Sequence, residues 1–79
     1  MTDKPDSSAQ RVRRFEFISG ASKKFWEIAV TGKAVTVRFG RIGTAGQEQN
    51  KVHADEVRAG REAEKLIAEK LRKGYVERH

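Results

Sequence analysis

The sequence predicts an α+β domain, in which an antiparallel four-stranded β-meander is followed by one C-terminal α-helix packed across one face of the sheet. Between residues 12 and 53, apolar and polar side chains alternate in short runs, which is the period of a half-buried β-strand. Glycine-containing connections separate these runs and predict hairpins between consecutive strands. From residue 54 the apolar residues recur at three- and four-residue spacing, which predicts a helix.

The four expected strands differ in how much of their surface is apolar. In the second strand Trp26 shares a face with Ile28 and Val30, so we expect its indole in the core. The third strand alternates most regularly, and its residues Val35 and Val37 are expected beneath the helix. The fourth strand is mostly polar and is expected at an edge of the sheet. The predicted spans are 12–18, 25–30, 34–40 and 47 to about 53.

Both ends of the helix are marked in the sequence. Asp55 is expected as the N-cap, or as a first-turn acid that the helix dipole favours. Lys73 and Gly74 predict the end, because bases are favoured in the last turn and glycine just after it. Tyr75 and Val76 are then expected to fold back onto the domain. The apolar stripe expected to face the sheet consists of Ala59, Ala63, Leu66, Ile67 and Leu71.

A length of 79 residues allows one domain, which at this size buries roughly 60% of the surface of the unfolded chain. We expect residues 1–10, which are polar and hold the single proline, to be a disordered leader and residues 11–79 to form the domain. No apolar run approaches the roughly 20 residues of a membrane span, and no hydrophobic stretch suggests a secretion signal. A cytoplasmic protein with no membrane partner is therefore expected.

The formal net charge of +6 is concentrated in the first half of the domain. Residues 11–53 hold nine Lys or Arg and three acids, whereas residues 54–73 hold six bases and five acids. An excess of bases on one part of a fold is typical of a surface that faces a polyanion. The alternative is a charge that serves solubility alone.

The sequence offers little for catalysis or for a metal. There is no cysteine, which excludes disulfides and thiolate chemistry, and the histidines are His53 and His79. We expect His53 to be a partly buried aromatic residue rather than a base or ligand. The spacing of Gly40, Gly43 and Gly46 fits neither the dinucleotide-binding fingerprint nor the P-loop. We therefore expect no enzyme activity, no cofactor and no metal.

Three segments, with Lys51 between the second and the third, together form an ordered motif. The first runs from Lys24 to Ile28. The second runs from Val35 to Gln47 and contains Phe39-Gly40-Arg41 followed by a Gly-Thr-Ala-Gly loop. The third runs from Lys65 to Tyr75 and ends in Lys-Gly-Tyr. This set resembles the WGR domain, which is named for a Trp-Gly-Arg tripeptide followed by a Gly-Thr-x-Gly loop. The resemblance runs from about residue 11 to residue 77. Small bacterial proteins that consist of this domain look most similar, and the same module occurs in eukaryotic poly(ADP-ribose) polymerases.

The resemblance implies contact with DNA at the tripeptide. In the polymerases the aromatic residue packs against a sugar at a strand break, and the arginine contacts nucleic acid and neighbouring domains. Carried over, Phe39 would stack and Arg41 would bind phosphate or sugar. Phenylalanine replaces the tryptophan of the family's name, so the contact would lose the indole N–H and some area.

The residues themselves favour a similar site but leave alternatives open. Arg38 and Arg41 bracket an aromatic residue and Gly40, which allows a ligand close to the backbone, and Lys51 on the next strand would widen the patch. Strand alternation places Phe39 with the core valines, so it is either core or a contact residue at the rim. Arg41 either contacts nucleic acid or forms an internal salt bridge. Gly43 and Gly46 serve either turn geometry or ligand approach.

The leading hypothesis is a non-catalytic nucleic-acid-binding module that prefers DNA, at ends or nicks, over RNA. The predicted site consists of Phe39, Gly40, Arg41, Arg38 and Lys51. The rival hypothesis is a protein-interaction module that docks onto a partner without nucleic acid, and a nucleotide-responsive regulator is a third class. We expect a monomer or a weak homodimer.

Overall fold

The structure, a computed structural model, describes residues 12–78. The predicted leader, residues 1–10, lies outside the described residues. Within them the chain forms five strands and one helix, which confirms the α+β class. The elements are β1 Arg13–Ser19, β2 Ser22–Thr31, β3 Ala34–Arg41, β4 Gln47–Val52, α1 Glu56–Arg72 and β5 Val76–Arg78.

The strands form one antiparallel sheet in the order β4-β3-β2-β1-β5. The predicted four-stranded meander is present, and the segment after the helix adds a fifth strand against β1. Register partners Arg14 and Arg78 mark this pairing, and the Arg13 guanidinium binds the Glu77 carboxylate across it at 2.8 Å. A three-residue strand is too short to produce a periodic pattern, so the sequence indicated only that the chain folds back.

Strand β4 closes the other edge of the sheet. All six of its residues are exposed, as expected for a polar edge strand. Asn50 donates a side-chain hydrogen bond to the hydroxyl of Thr36 on the neighbouring strand.

Helix α1 begins and ends where the sequence predicts. The Asp55 side chain accepts a hydrogen bond from the backbone N–H of Arg58 at 2.8 Å, which makes Asp55 the N-cap. Lys73 is the C-cap, and Gly74 follows it with φ 104°. Across residues 12–78, α1 lacks the length of apolar sequence that crossing a membrane requires.

The core lies between α1 and the face of the sheet that carries Trp26. Its buried residues are Phe15, Trp26, Ile28, Val35, Ala59, Ala63 and Ile67. The small side chains of Ala59 and Ala63 allow the helix to approach β2 and β3 closely. Leu71 of the predicted stripe is 50% exposed, because the next position on the inner side of the helix after Ile67 is Lys70.

A smaller buried site lies on the opposite face of the sheet around Phe25, which is 2% exposed. The guanidinium carbons of Arg14 and Arg38 lie 4.7 and 5.7 Å from its ring centroid. Both arginines bind the carboxylate of Glu27, at 2.7 and 2.8 Å. Phe25 is therefore covered by paired charges rather than by a second layer of the fold.

Candidate nucleic-acid interface

Two unpaired cations face each other where β2 begins and β3 ends. Lys24 and Arg41 are direct register partners, and they lie on the face that carries α1, two residues along from the inward partners Trp26 and Phe39. Like charges placed directly opposite destabilise a sheet. Within residues 12–78 neither residue forms a salt bridge. No carboxylate among the described residues therefore neutralises the repulsion between the two side chains.

A third cation, Lys70, reaches the same place from the helix. Its ammonium lies 5.5 Å from the ring centroid of Trp26 and 5.4 Å from that of Tyr75. Burial lowers the pKa of Lys70, and the charges of Lys73 and Lys24 lower it further, against an opposing effect from Glu69. Cation–π attraction to two rings offsets part of the cost of keeping this ammonium between protein groups.

We define the basic cluster as Lys24, Arg41, Lys70 and Lys73. Its residues line two adjoining cavities of about 410 and 240 Å³ that share Lys24, Lys70 and Tyr75. Among the described residues that line either cavity, none is Asp or Glu. Such a concentration of one sign of charge attracts anions.

Aromatic side chains form the apolar part of the larger cavity. Phe39 is half-buried, packs against the core cluster and also lines the cavity with Trp26 and Tyr75. The register of β3 with β2 continues without a bulge through Arg41, so Phe39 points inward like Val37. It lies at the rim of the core with part of its surface open, and contact with nucleic acid stays a prediction.

The backbone of Arg41 is fixed on both sides while its side chain is exposed. The N–H of Ile42 donates to the carbonyl oxygen of Lys23 at 2.9 Å. The carbonyl oxygen of Arg41 accepts hydrogen bonds from the N–H and the hydroxyl of Thr44, at 3.1 and 2.8 Å. The guanidinium is therefore presented to solvent from a rigid base.

Glycine is required in the loop after Arg41 because the loop packs onto the sheet. A Cβ on Gly46, which has φ 75°, would lie 2.5 Å from the carbonyl oxygen of Phe39 and 2.7 Å from Cζ of Phe25. A Cβ on Gly40 would lie 2.9 Å from Cα of Gly46. Gly43 has φ 98° and open space around it. Contact within the protein accounts for Gly40 and Gly46, and turn geometry accounts for Gly43.

Comparison with known proteins identifies the module. The family model described as the WGR domain matches residues 10–79. The chain belongs to the WGR domain family. Within the matched residues, Phe39 contributes the rim aromatic and Arg41 one cation of the basic cluster.

Proteins similar to this chain are longer than it is. Two are from Escherichia coli K12: the uncharacterized protein YfeS is 40% identical over 65 residues, and protein YehF is 39% identical over 66 residues. These matches cover 82% and 84% of this chain but 27% and 24% of the relatives. A crystal structure of a Bacteroides fragilis protein matches with a TM-score of 0.84 and 47% identity, over 86% of this chain and 19% of that one. The chain thus spans about a quarter or less of each relative.

The WGR fold separates the five predicted site residues. Phe39, Gly40 and Arg41 lie at the larger cavity, whereas the Arg38 side chain projects from the opposite face and binds Glu27. Lys51 is the register partner of Val35. Val35 lies six residues before Arg41 on β3, which places Lys51 about 20 Å from Arg41. The structure therefore keeps three of the five together.

Three residues of the basic cluster were absent from the predicted site: Lys24, Lys70 and Lys73. All three belong to the motif segments on which the WGR resemblance rests. Lys70 and Lys73 lie together at the C-terminal end of the helix. The sequence reasoning did not select them because it considered the net charge of the whole helix, which is near zero. A count by helix turn rather than by helix would have found them.

His53 is half-buried just after β4, as expected, and its backbone N–H donates to the carbonyl oxygen of Lys33 at 2.8 Å. Its Nε2 is buried and has no hydrogen-bond partner in the described part of the chain. No group of three or more metal-ligating side chains comes together within residues 12–78.

Proposed function

We propose that this WGR domain is a non-catalytic DNA-binding module that holds phosphate and sugar of the DNA backbone at the basic cluster. The observation that carries the proposal is the direct opposition of Lys24 and Arg41, joined by Lys70 and Lys73, without a carboxylate in the described cavity lining. A bound phosphate would place negative charge between cations that otherwise repel one another. Binding would therefore relieve a cost that the free protein carries.

The aromatic residues supply the second part of the proposed contact. The open part of Phe39 lies beside Arg41, so a sugar could pack on the ring while its phosphate meets the guanidinium. The rings of Trp26 and Tyr75 are held by core packing and by Lys70, which fixes the shape of this surface. Rigid apolar groups next to cations favour recognition of backbone shape.

The fold favours backbone contacts over base recognition. Helix α1 packs its inner side on the sheet and presents its C-terminal end to the basic cluster, so it is not placed to enter a groove as a recognition helix does. The WGR domains of poly(ADP-ribose) polymerases bind nucleic acid, and this supports DNA, at ends or nicks, as the ligand. Little dependence on base sequence is expected.

The test is fluorescence anisotropy of the protein with a nicked DNA duplex across a salt series. If three to five cations contact phosphates, the log–log salt slope is about −2.7 to −4.5, and a fourfold increase in salt weakens binding about 40- to 500-fold. Arg41→Glu reverses a charge in the basic cluster and should abolish measurable binding while the circular dichroism spectrum is retained.

Matched controls use the same charge reversal elsewhere on the domain. Lys33→Glu changes the β2–β3 turn, at the opposite end of β3 from Arg41, and Lys51→Glu changes an exposed position on the edge strand β4. Both should bind far better than Arg41→Glu. If Lys51→Glu is as damaging as Arg41→Glu, a general effect of net charge explains binding. No binding of wild-type protein at low salt would refute the proposal and favour the protein-docking function.

A further inference from the structure

Lys70 is chemically distinct from the other described lysines of the domain. It occupies an inner position of α1, between two aromatic rings, and its ammonium is close enough to Lys24 and Lys73 for their charges to act on it. No salt bridge of Lys70 is found within residues 12–78. Burial, with the charges of Lys73 and Lys24, lowers the pKa of Lys70, which raises the fraction of neutral amine, and a neutral amine is a nucleophile.

The amine is also accessible. Lys70 is half-buried, and it lines both cavities of the basic cluster. Lys24, Arg41 and Lys70 all line the larger cavity, so a small molecule bound there would lie within reach of all three. A group that carries both an anion and an electrophilic carbon would be oriented there, with its anion on the cations and its carbon toward the amine.

We propose that Lys70 is a site of covalent acylation, and that its donor is an acyl phosphate whose phosphate is bound by Lys24 and Arg41. The neutral Lys70 amine attacks the carbonyl carbon, a new C–N bond forms, and the bond from that carbon to the phosphate oxygen breaks. Inorganic phosphate leaves with the electron pair of the broken bond, and the amine loses one proton to solvent. The product is an amide at Lys70, with no oxidation or reduction.

Acylation would change the charge of the basic cluster. The amide is neutral and bulkier than the ammonium, so one cation is lost at a surface where each phosphate contact contributes about one unit to the salt slope. DNA bound at the same surface would in turn shield the amine. This consequence depends on the proposed DNA-binding function, whereas the acylation itself does not.

The first test uses acetyl phosphate as the donor and peptide mass spectrometry to follow each lysine over time. Lys33 and Lys51 are exposed reference lysines in the same molecule. Lys70 should be acetylated severalfold faster than either, and inorganic phosphate should slow Lys70 without slowing the reference lysines. Acetylation of Lys70 at the rate of Lys33 or slower would overturn the proposal.

A second reagent, acetic anhydride, distinguishes binding of the donor's phosphate by the cations from the intrinsic reactivity of the Lys70 amine. Acetic anhydride carries no anion, so Arg41→Gln should slow acetylation of Lys70 by acetyl phosphate and leave its acetylation by acetic anhydride unchanged. Equal effects of Arg41→Gln on the two reagents would refute the role assigned to the phosphate.

DNA binding is measured independently on the unmodified protein. If the unmodified protein binds the nicked duplex, the acetylated protein should bind more weakly, and duplex should protect Lys70 from acetyl phosphate. If the unmodified protein does not bind duplex, the proposed function fails while preferential acetylation of Lys70 still decides the acylation proposal. Duplex that binds but leaves the rate at Lys70 unchanged would contradict the shared surface.

Discussion

Gly46→Ala should be among the most damaging single-methyl additions to this domain. The new Cβ would lie 2.5 Å from the carbonyl oxygen of Phe39 and 2.7 Å from Cζ of Phe25, and both atoms belong to the packed sheet. Phe25 is 2% exposed, and its ring is packed against Gly40 and Gly46. The loop that begins at Arg41 must therefore lift from β3 or strain the strand.

The magnitude follows from two additive costs. Holding alanine at the φ of 75° found at Gly46 costs about 1–2 kcal/mol. Overpacking against Phe25 and the Phe39 carbonyl adds about 1–3 kcal/mol. At Gly43, φ is 98° and no atom lies within 4 Å of the added Cβ, so only the first cost applies. The free energy of unfolding should therefore fall by about 2–5 kcal/mol in Gly46→Ala and about 1–2 kcal/mol in Gly43→Ala.

Urea unfolding followed by tryptophan fluorescence measures both variants. Trp26 is the single tryptophan and is 4% exposed, so its emission reports loss of the core. With a slope near ~1 kcal/mol/M, the Gly46 variant should unfold at a urea concentration at least about 1 M below the Gly43 variant. Equal midpoints for the two variants would show that backbone conformation alone explains the glycines and would refute the packing argument.

Three further predictions concern stability, pH and the trade between stability and binding. Gly60→Ala should raise the free energy of unfolding by up to about 1 kcal/mol in urea titrations, because glycine lies inside α1 with open space at its Cβ. Burial alone would raise the pKa of Glu27, but hydrogen bonds from Arg14 and Arg38 outweigh it and lower that pKa. The Glu27 carboxylate therefore stabilises the fold above its unfolded pKa of about 4.3, and this stabilisation is lost as pH falls through its lower folded pKa. In urea titrations at several pH values, the free energy of unfolding of Glu27→Gln should fall less at acid pH than that of the wild type. Lys70→Met should raise the urea midpoint and weaken duplex binding; a lower midpoint would contradict the cost assigned to the half-buried ammonium.

The fold was predictable because each element carries a repeated local pattern. Alternation around Trp26 and Val35 placed their side chains in the core, and Asp55 and Gly74 marked the helix ends. The fifth strand escaped because three residues give no period. Lys70 was not predicted for a related reason. The hydrophobic pattern assigned the inner position of the helix to the neighbouring apolar residue, Leu71, whereas in the structure the Lys70 side chain contacts the aromatic rings and Leu71 is half exposed.

The candidate site was predictable only in part, because it depends on pairing between strands and on a distant helix end. Sequence spacing placed Arg38 beside Arg41, but residues three apart on a strand face opposite sides of the sheet. Lys51 lies on the adjacent strand, but antiparallel register carries it to the far end of β3. Register follows from the tertiary fold, so composition alone does not show which cations meet.

The positions of the glutamates explain why the basic cluster lies on one face of one end of the sheet. On the face around Phe25, the carboxylate of Glu27 bridges Arg14 and Arg38, so arginines over an aromatic ring are neutralised there. On the opposite face Lys24 and Arg41 adjoin equally apolar rings without such a bridge. Stability alone would favour a carboxylate at both places. No carboxylate of the described residues lines the second place, and the DNA-binding proposal assigns that charge to a phosphate, whose binding there would need little rearrangement of the loop after Arg41.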